Sequence, residues 1–145
     1  MFGYVLAAAC HDVDHPGFSN PYLIEKRDKL AIRYNDESVL ESHHVATTFG
    51  LLALDKYNML CDLDTSQYKK VRKMIIGAIL STDMSKHFNK LAAFKSKILS
   101  EDLDPIADKQ FICEQYFHFA DISNPTKPWE MCHKWTELLF IEFFN

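Results

Sequence analysis

Apolar residues recur along this chain at helical spacing, and β-branched alternation is missing throughout. An Ala-rich apolar run over residues 4–10 ends on His11 and Asp12. Residues 16–21 read as a loop, with Pro-Gly followed by Ser-Asn-Pro, and short helical pieces are expected through residue 34. Asn35 or Asp36 is the expected N-cap of the next helix, with Glu37 in its first turn. Val39, Leu40, His43, Ala46, Phe49, Gly50 and Leu54 give that helix its i, i+3, i+4 pattern, and it should end near Tyr57 and Asn58. Thr65 or Ser66 is expected to cap a long helix whose apolar face is Val71, Ile75, Ile79 and Leu80. Ser81-Thr82-Asp83 interrupts that face, as a kink or boundary would. A further amphipathic stretch carries Phe88, Leu91, Phe94, Ile98 and Leu99. Asp104-Pro105 is a break, residues 106–119 form an aromatic-rich helix, and residues 124–128 form a turn. The last helix runs from about 129, with Pro128 suited to its first turn. The expected fold class is all-α.

Composition narrows the class of protein. The chain has 145 residues, 48% of them hydrophobic and 25% charged, which suits one globular domain. Its net charge of -4, with no basic block, argues against a nucleic-acid partner. No apolar run approaches the roughly 18 residues a membrane span needs, and the first ten residues lack the basic start of a signal peptide. Cys10, Cys61, Cys113 and Cys132 lie far apart and form no Cys-x-x-Cys pair, which suits reduced thiols and a cytoplasmic location.

The chemistry concentrates in His11-Asp12-Val13-Asp14-His15-Pro16-Gly17. Two imidazoles and two carboxylates at the end of an apolar run carry a desolvation cost unless they are paired or bind metal. His11 and Asp12 are therefore candidate metal ligands, with helix-capping groups as the competing reading. Asp121 sits in a similar context, at the end of an apolar helix and before Ser-Asn-Pro; by itself it would equally suit a cap. Glu41 near the apolar side of its helix, and Thr82 and Asp83 on an apolar face, are the other polar residues out of pattern. His43 and His44 suit core or hydrogen-bonded histidines; His87, His118 and His133 suit surface or partly buried ones; Met and Phe residues default to the core.

Set beside Ala120-Asp121-Ile122-Ser123-Asn124-Pro125-Thr126-Lys127-Pro128, the segment from His11 to Asn20 resembles the class I cyclic nucleotide phosphodiesterase catalytic domain, a branch of the HD metal-hydrolase group. The stretch from Tyr34 to His44 resembles the family's Glu-bearing helix, Ser81-Thr82-Asp83-Met84-Ser85-Lys86-His87 its mid-domain motif, and Trp135-Thr136-Glu137 with Glu142-Phe143-Phe144 a later helix. The resemblance implies a multi-helix domain with two divalent ions, zinc and magnesium or manganese. It implies His11, Asp12 and Asp121 as direct ligands, with His15, Glu41 and Thr82 holding metal-bound waters in catalytic support. Asn124 matches a contact to the purine and Met84 a position lining the pocket. The implied partner is a small-molecule cyclic nucleotide, cAMP or cGMP, hydrolysed to the 5′-monophosphate.

The chain also departs from that pattern. The family has two histidines upstream of the His-Asp pair, one completing the metal shell and one protonating the leaving 3′ oxygen; none of the ten residues before His11 is histidine. The family's purine-holding glutamine and aromatic clamp follow the helix on which this sequence stops. The expectation is a partial catalytic domain over residues 1–145, truncated at both ends, weak or inactive alone, with room for regulatory domains in a parent protein. A non-catalytic metal- or partner-binding module of the same fold, and another HD-group phosphohydrolase, stand as alternatives.

Overall fold

The computed structural model describes residues 2–144, and among these the only regular structure is helical. Eight α-helices follow in order: α1 (Phe2–Cys10), α2 (Asn20–Glu25), α3 (Lys29–Tyr34), α4 (Val39–Leu52), α5 (Thr65–Leu80), α6 (His87–Leu99), α7 (Lys109–Asp121) and α8 (Trp129–Phe144). The all-α expectation holds.

Helix α5 is the axis of the fold. It packs against α1, α4 and α7. Ile75, Ala78 and Ile79 on α5 are fully buried and meet Leu6, Ala7, Leu52 and Leu60. Gly3 of α1 is buried against Val71 and Met74 of α5, where a Cβ would meet Val71 at 3.5 Å, an ordinary van der Waals contact. A second cluster, Leu23, Leu30, Ala31, Val39 and Leu40, seats α2 and α3 against the start of α4. The termini of α1 and α7 are thus delivered by two helices resting on the same partner.

Several boundaries differ from the sequence reading, each for a local reason. Helix α5 is capped by Asp64 rather than Thr65 or Ser66. The Asp64 carboxylate accepts the Gln67 N–H at 2.8 Å and Gln67 Oε1 accepts the Asp64 N–H at 3.1 Å, a reciprocal capping box. Asn35 closes α3 in the left-handed conformation instead of opening α4. Helix α4 starts after Ser38, also left-handed at φ 44°, and Glu37 lies outside it. It ends at Leu52, where Leu54 turns extended before the short 3₁₀ turn Asp55–Tyr57. Helix α7 starts at Lys109 because Asp104 Oδ1 draws the Ile106 and Ala107 N–H groups into a turn. The buried hydrophobics among the described residues are Leu, Ala, Ile or Val, while Met84 in the turn before α6, Phe88 on α6 and Phe140, Phe143 and Phe144 on α8 are exposed, so the assignment of Phe and Met to the core fails at these positions.

Candidate functional site

His11 leaves the end of α1 with its Nδ1–H donating to the Ala8 carbonyl at 2.9 Å, which turns Nε2 outward. Nε2 lies 3.2 Å from Asp12 Oδ2 and 3.2 Å from Asp121 Oδ1, although His11 and Asp121 are 110 positions apart in sequence. With Nδ1 protonated, a neutral imidazole presents a lone pair at Nε2. Two carboxylates facing one lone pair repel it, so the cluster needs a cation. A proton serves: hydrogen bonds to Asp12 and then Asp121 push the His11 pKa up to about 11. The same bond from His11 holds Asp12 below the usual carboxylate range.

A metal ion also fits. Among the described residues no three His, Cys, Asp or Glu groups stand around a common point as a formed shell; these three close on one another instead. Yet ligand atoms about 2.1 Å from one ion lie about 3.0–3.4 Å apart, and both measured edges are 3.2 Å.

Asn124 shares a cleft of about 560 Å³ with His11, Asp12, Asp121, Lys127 and Trp135. Its Nδ2 reaches the Cys132 carbonyl at 3.5 Å, and its Oδ1 is buried without a hydrogen-bond partner among the described residues. His15 lies in an adjoining hollow that also includes Asp12; its Nδ1 accepts the Gly17 N–H at 3.0 Å and its ring stacks on His44, centroids 5.6 Å apart. Gly17 makes this turn at φ 79°. Glu41 and Met84 line a different hollow of about 550 Å³, together with Asn20, Ser38 and Asp83. Thr82 is buried, and its hydroxyl donates to the Ile79 carbonyl at 2.8 Å. The structure therefore brings His11, Asp12, Asp121 and Asn124 to one cleft with His15 beside it. It sets Glu41 and Met84 in a second hollow and Thr82 in the turn leading to it.

The family model for 3′5′-cyclic nucleotide phosphodiesterase matches residues 1–145. The chain belongs to this family. It is 43% identical to a 3′,5′-cyclic-AMP phosphodiesterase, isoform F, of Drosophila melanogaster over 98% of its own length and 23% of that protein's. It is also 43% identical to a probable 3′,5′-cyclic-AMP phosphodiesterase of Caenorhabditis elegans, over 97% of this chain and 22% of the relative. The crystal structure of the phosphodiesterase domain of Salpingoeca rosetta rhodopsin phosphodiesterase superposes with a TM-score of 0.94 at 36% identity, covering 98% of this chain and 44% of that one. The chain thus spans about a quarter of the length of these two curated relatives.

Within this phosphodiesterase framework, His43 and His44 are hydrogen-bonded histidines as expected, and His118 is more deeply buried than expected. His44 is buried, its Nδ1–H donates to the Val13 carbonyl at 2.8 Å, and its Nε2 stands 3.9 Å from Asp12 Oδ1. Burial lowers its pKa, which favours the neutral ring. It follows Glu41 by three residues, so the two share a face of α4, a spacing readable in the sequence. Asp14, left-handed at φ 61°, meets His43 Nε2 at 2.8 Å. His118 is buried rather than partly exposed, because it packs under α6 with its Nε2 2.8 Å from His87 Nδ1. No helix of the described residues is long and apolar enough to cross a membrane.

Proposed function

We propose that this chain is the metal-holding part of a phosphodiesterase that hydrolyses 3′,5′-cyclic nucleotides, cAMP or cGMP, to 5′-monophosphates. The observation that carries the reading is the convergence of Asp12 and Asp121 on the outward lone pair of His11. Family membership supports it, and the relatives at 43% identity bear names of cyclic-AMP phosphodiesterases.

His11, Asp12 and Asp121 are the residues that would hold the ions. One nitrogen and carboxylate oxygens suit zinc, and carboxylate oxygens with water suit magnesium or manganese. Bound divalent ions supply a water of lowered pKa and neutralise charge developing on phosphoryl oxygens. The chain's own residues prepare the place. The Ala8 carbonyl fixes the His11 tautomer and so aims Nε2. His15, Glu41 and Thr82 are proposed to orient water around the centre, and the stacking of His15 on His44 holds its ring in one plane. Asn124 is proposed to meet the purine, supported by a buried Oδ1 that lacks a partner in the cleft beside Asp121. Met84, exposed on the rim of the second hollow, is proposed to line the pocket. Four free cysteines fit a cytoplasmic enzyme.

The test is turnover of cAMP and cGMP, followed by ³¹P NMR, in this chain extended in frame at both ends. Chelation should abolish 5′-monophosphate formation, and zinc plus magnesium should restore it. Asp121→Asn and His11→Ala should lower it at least 100-fold. Undiminished hydrolysis by both variants would refute the assignment.

A further inference from the structure

Helix α4 starts in an unusual way. Its N-cap residue, Ser38, is left-handed and buried, and its hydroxyl donates to Asp83 Oδ2 at 2.6 Å. That hydroxyl also receives Lys86 Nζ at 2.6 Å. Ser38 is therefore committed to the turn after α5 and offers no side-chain acceptor to the first N–H groups of α4, which have no partner inside the helix.

The missing acceptor comes from another element. Asn20, the first residue of α2, accepts the Leu40 N–H at its Oδ1, 2.9 Å away and 20 positions distant in sequence. A backbone N–H can only donate, so this bond fixes which end of the amide is oxygen. The other end, Nδ2, is then turned onto Glu41, where it donates to Oε2 at 3.0 Å. One side chain thus caps α4 and grips the carboxylate one residue further on. The cap and the grip are rigidly linked through a planar amide.

Glu41 needs such a grip. It is half-buried, and burial raises its pKa, with the Asn20 bond opposing that rise. Asp83 stands in the same hollow and its charge works against Glu41 as well. Without a donor at Oε2, a flexible side chain in this setting would turn away or take up a proton. On the same face of α4, three residues on, His44 stands 3.9 Å from Asp12.

We propose that Asn20 is a positioning residue that sets the Glu41 carboxylate for the Asp12 side of the metal centre, while holding the start of the helix that carries it. This rests on the reading of Glu41 given above. Asn20 touches neither substrate nor metal; it acts through Glu41.

The experiment is a double-mutant cycle on Mn²⁺ affinity, measured by calorimetry, with melting temperature recorded alongside. Asn20→Asp keeps an acceptor for Leu40 N–H but sets a carboxylate against Glu41. It should weaken Mn²⁺ binding 10–100-fold, the usual effect of losing a residue that orients a metal site. Glu41→Gln should lose a similar factor. Asn20→Asp placed on Glu41→Gln should cost no further affinity, because the amide that replaces the Glu41 carboxylate can donate to the new acid. If Asn20→Asp fails to fold, Asn20→Ala completes the same cycle. Independent, multiplying losses would overturn the proposal, as would wild-type affinity in Asn20→Asp. Wild-type affinity in Glu41→Gln, with binding abolished by Asp12→Asn, would remove the role of Glu41 while leaving the metal site standing. Absence of Mn²⁺ binding in the wild type would instead refute the metal-site reading beneath both.

Discussion

Metal binding should expel one proton from His11. In the metal-free chain Nε2 faces two carboxylates and is held protonated, with a pKa of about 11 against an ordinary 6.5. An ion bound at Nε2 must displace that proton. At pH 7.5 an unperturbed imidazole would carry only about 0.1 proton, so the release expected from an ordinary histidine is about 0.1 and from His11 about one. The apparent affinity should then rise about tenfold per pH unit from pH 7 towards 10, instead of levelling off near pH 6.5. The assay is zinc calorimetry at pH 7.5 in two buffers of different ionisation enthalpy, with ¹⁵N shifts of the His11 ring to name the atom. Asp121→Asn removes one of the two acceptors and should lower both the proton release and the affinity. The sign for stability follows the same linkage. A raised folded-state pKa gives stabilisation that is complete below pH 6.5 and fades as pH climbs through about 11. Asp12 is largely exposed and Asp121 partly so, which screens the pair, and Asp121→Asn should cost the metal-free fold only about 1 kcal/mol at pH 7. A neutral His11 ring at pH 8 in the metal-free chain would refute this account of the cluster.

Three further outcomes follow from local geometry. Asp64→Ala removes the capping box of α5 and should destabilise the chain by about 0.5–2 kcal/mol in denaturant melts. Gly17→Ala places a Cβ at φ 79° and should cost about 1–2 kcal/mol, with His15 losing its fixed orientation in NMR spectra. Burial raises the Asp83 pKa, but hydrogen bonds from Ser38 and Ser85 outweigh it and the net shift is downward. That stabilisation is present above the ordinary carboxylate range and is lost as pH falls through the lowered value, so Asp83→Asn should flatten the acid limb of the stability curve.

What could be read from the sequence was local or periodic. The helical class and the C-terminal ends of α1 and α7 came from apolar runs that end on charge, whereas the pairing of Asp12 with Asp121 needed the family resemblance as well as their matching helix-end contexts. The failures share a different physics. Asp64 displaced Thr65 as a cap because Gln67 reciprocates, an advantage that depends on two side chains at once. Ser38 became left-handed because Asp83 and Lys86, 45 and 48 positions away, hold its hydroxyl. Asn20 does the capping that Asn35 or Asp36 was expected to do, from the far side of a loop. Phe140, Phe143 and Phe144 on α8 carry apolar periodicity yet are exposed, and on α6 Phe88 is exposed while Phe94 packs on Phe111 and Phe119 of α7, because periodicity alone does not say which face is covered. The buried His118 follows from α6 lying over α7, a packing choice no spacing encodes.

Whether His11, Asp12 and Asp121 hold one ion can be seen in an anomalous difference map from crystals grown with zinc, with data collected on both sides of the zinc absorption edge. A peak should stand about 2.0–2.2 Å from His11 Nε2 and from carboxylate oxygens of both Asp12 and Asp121. A map with zinc elsewhere in the molecule, and His11 Nε2 still hydrogen-bonded to the two carboxylates, would contradict it.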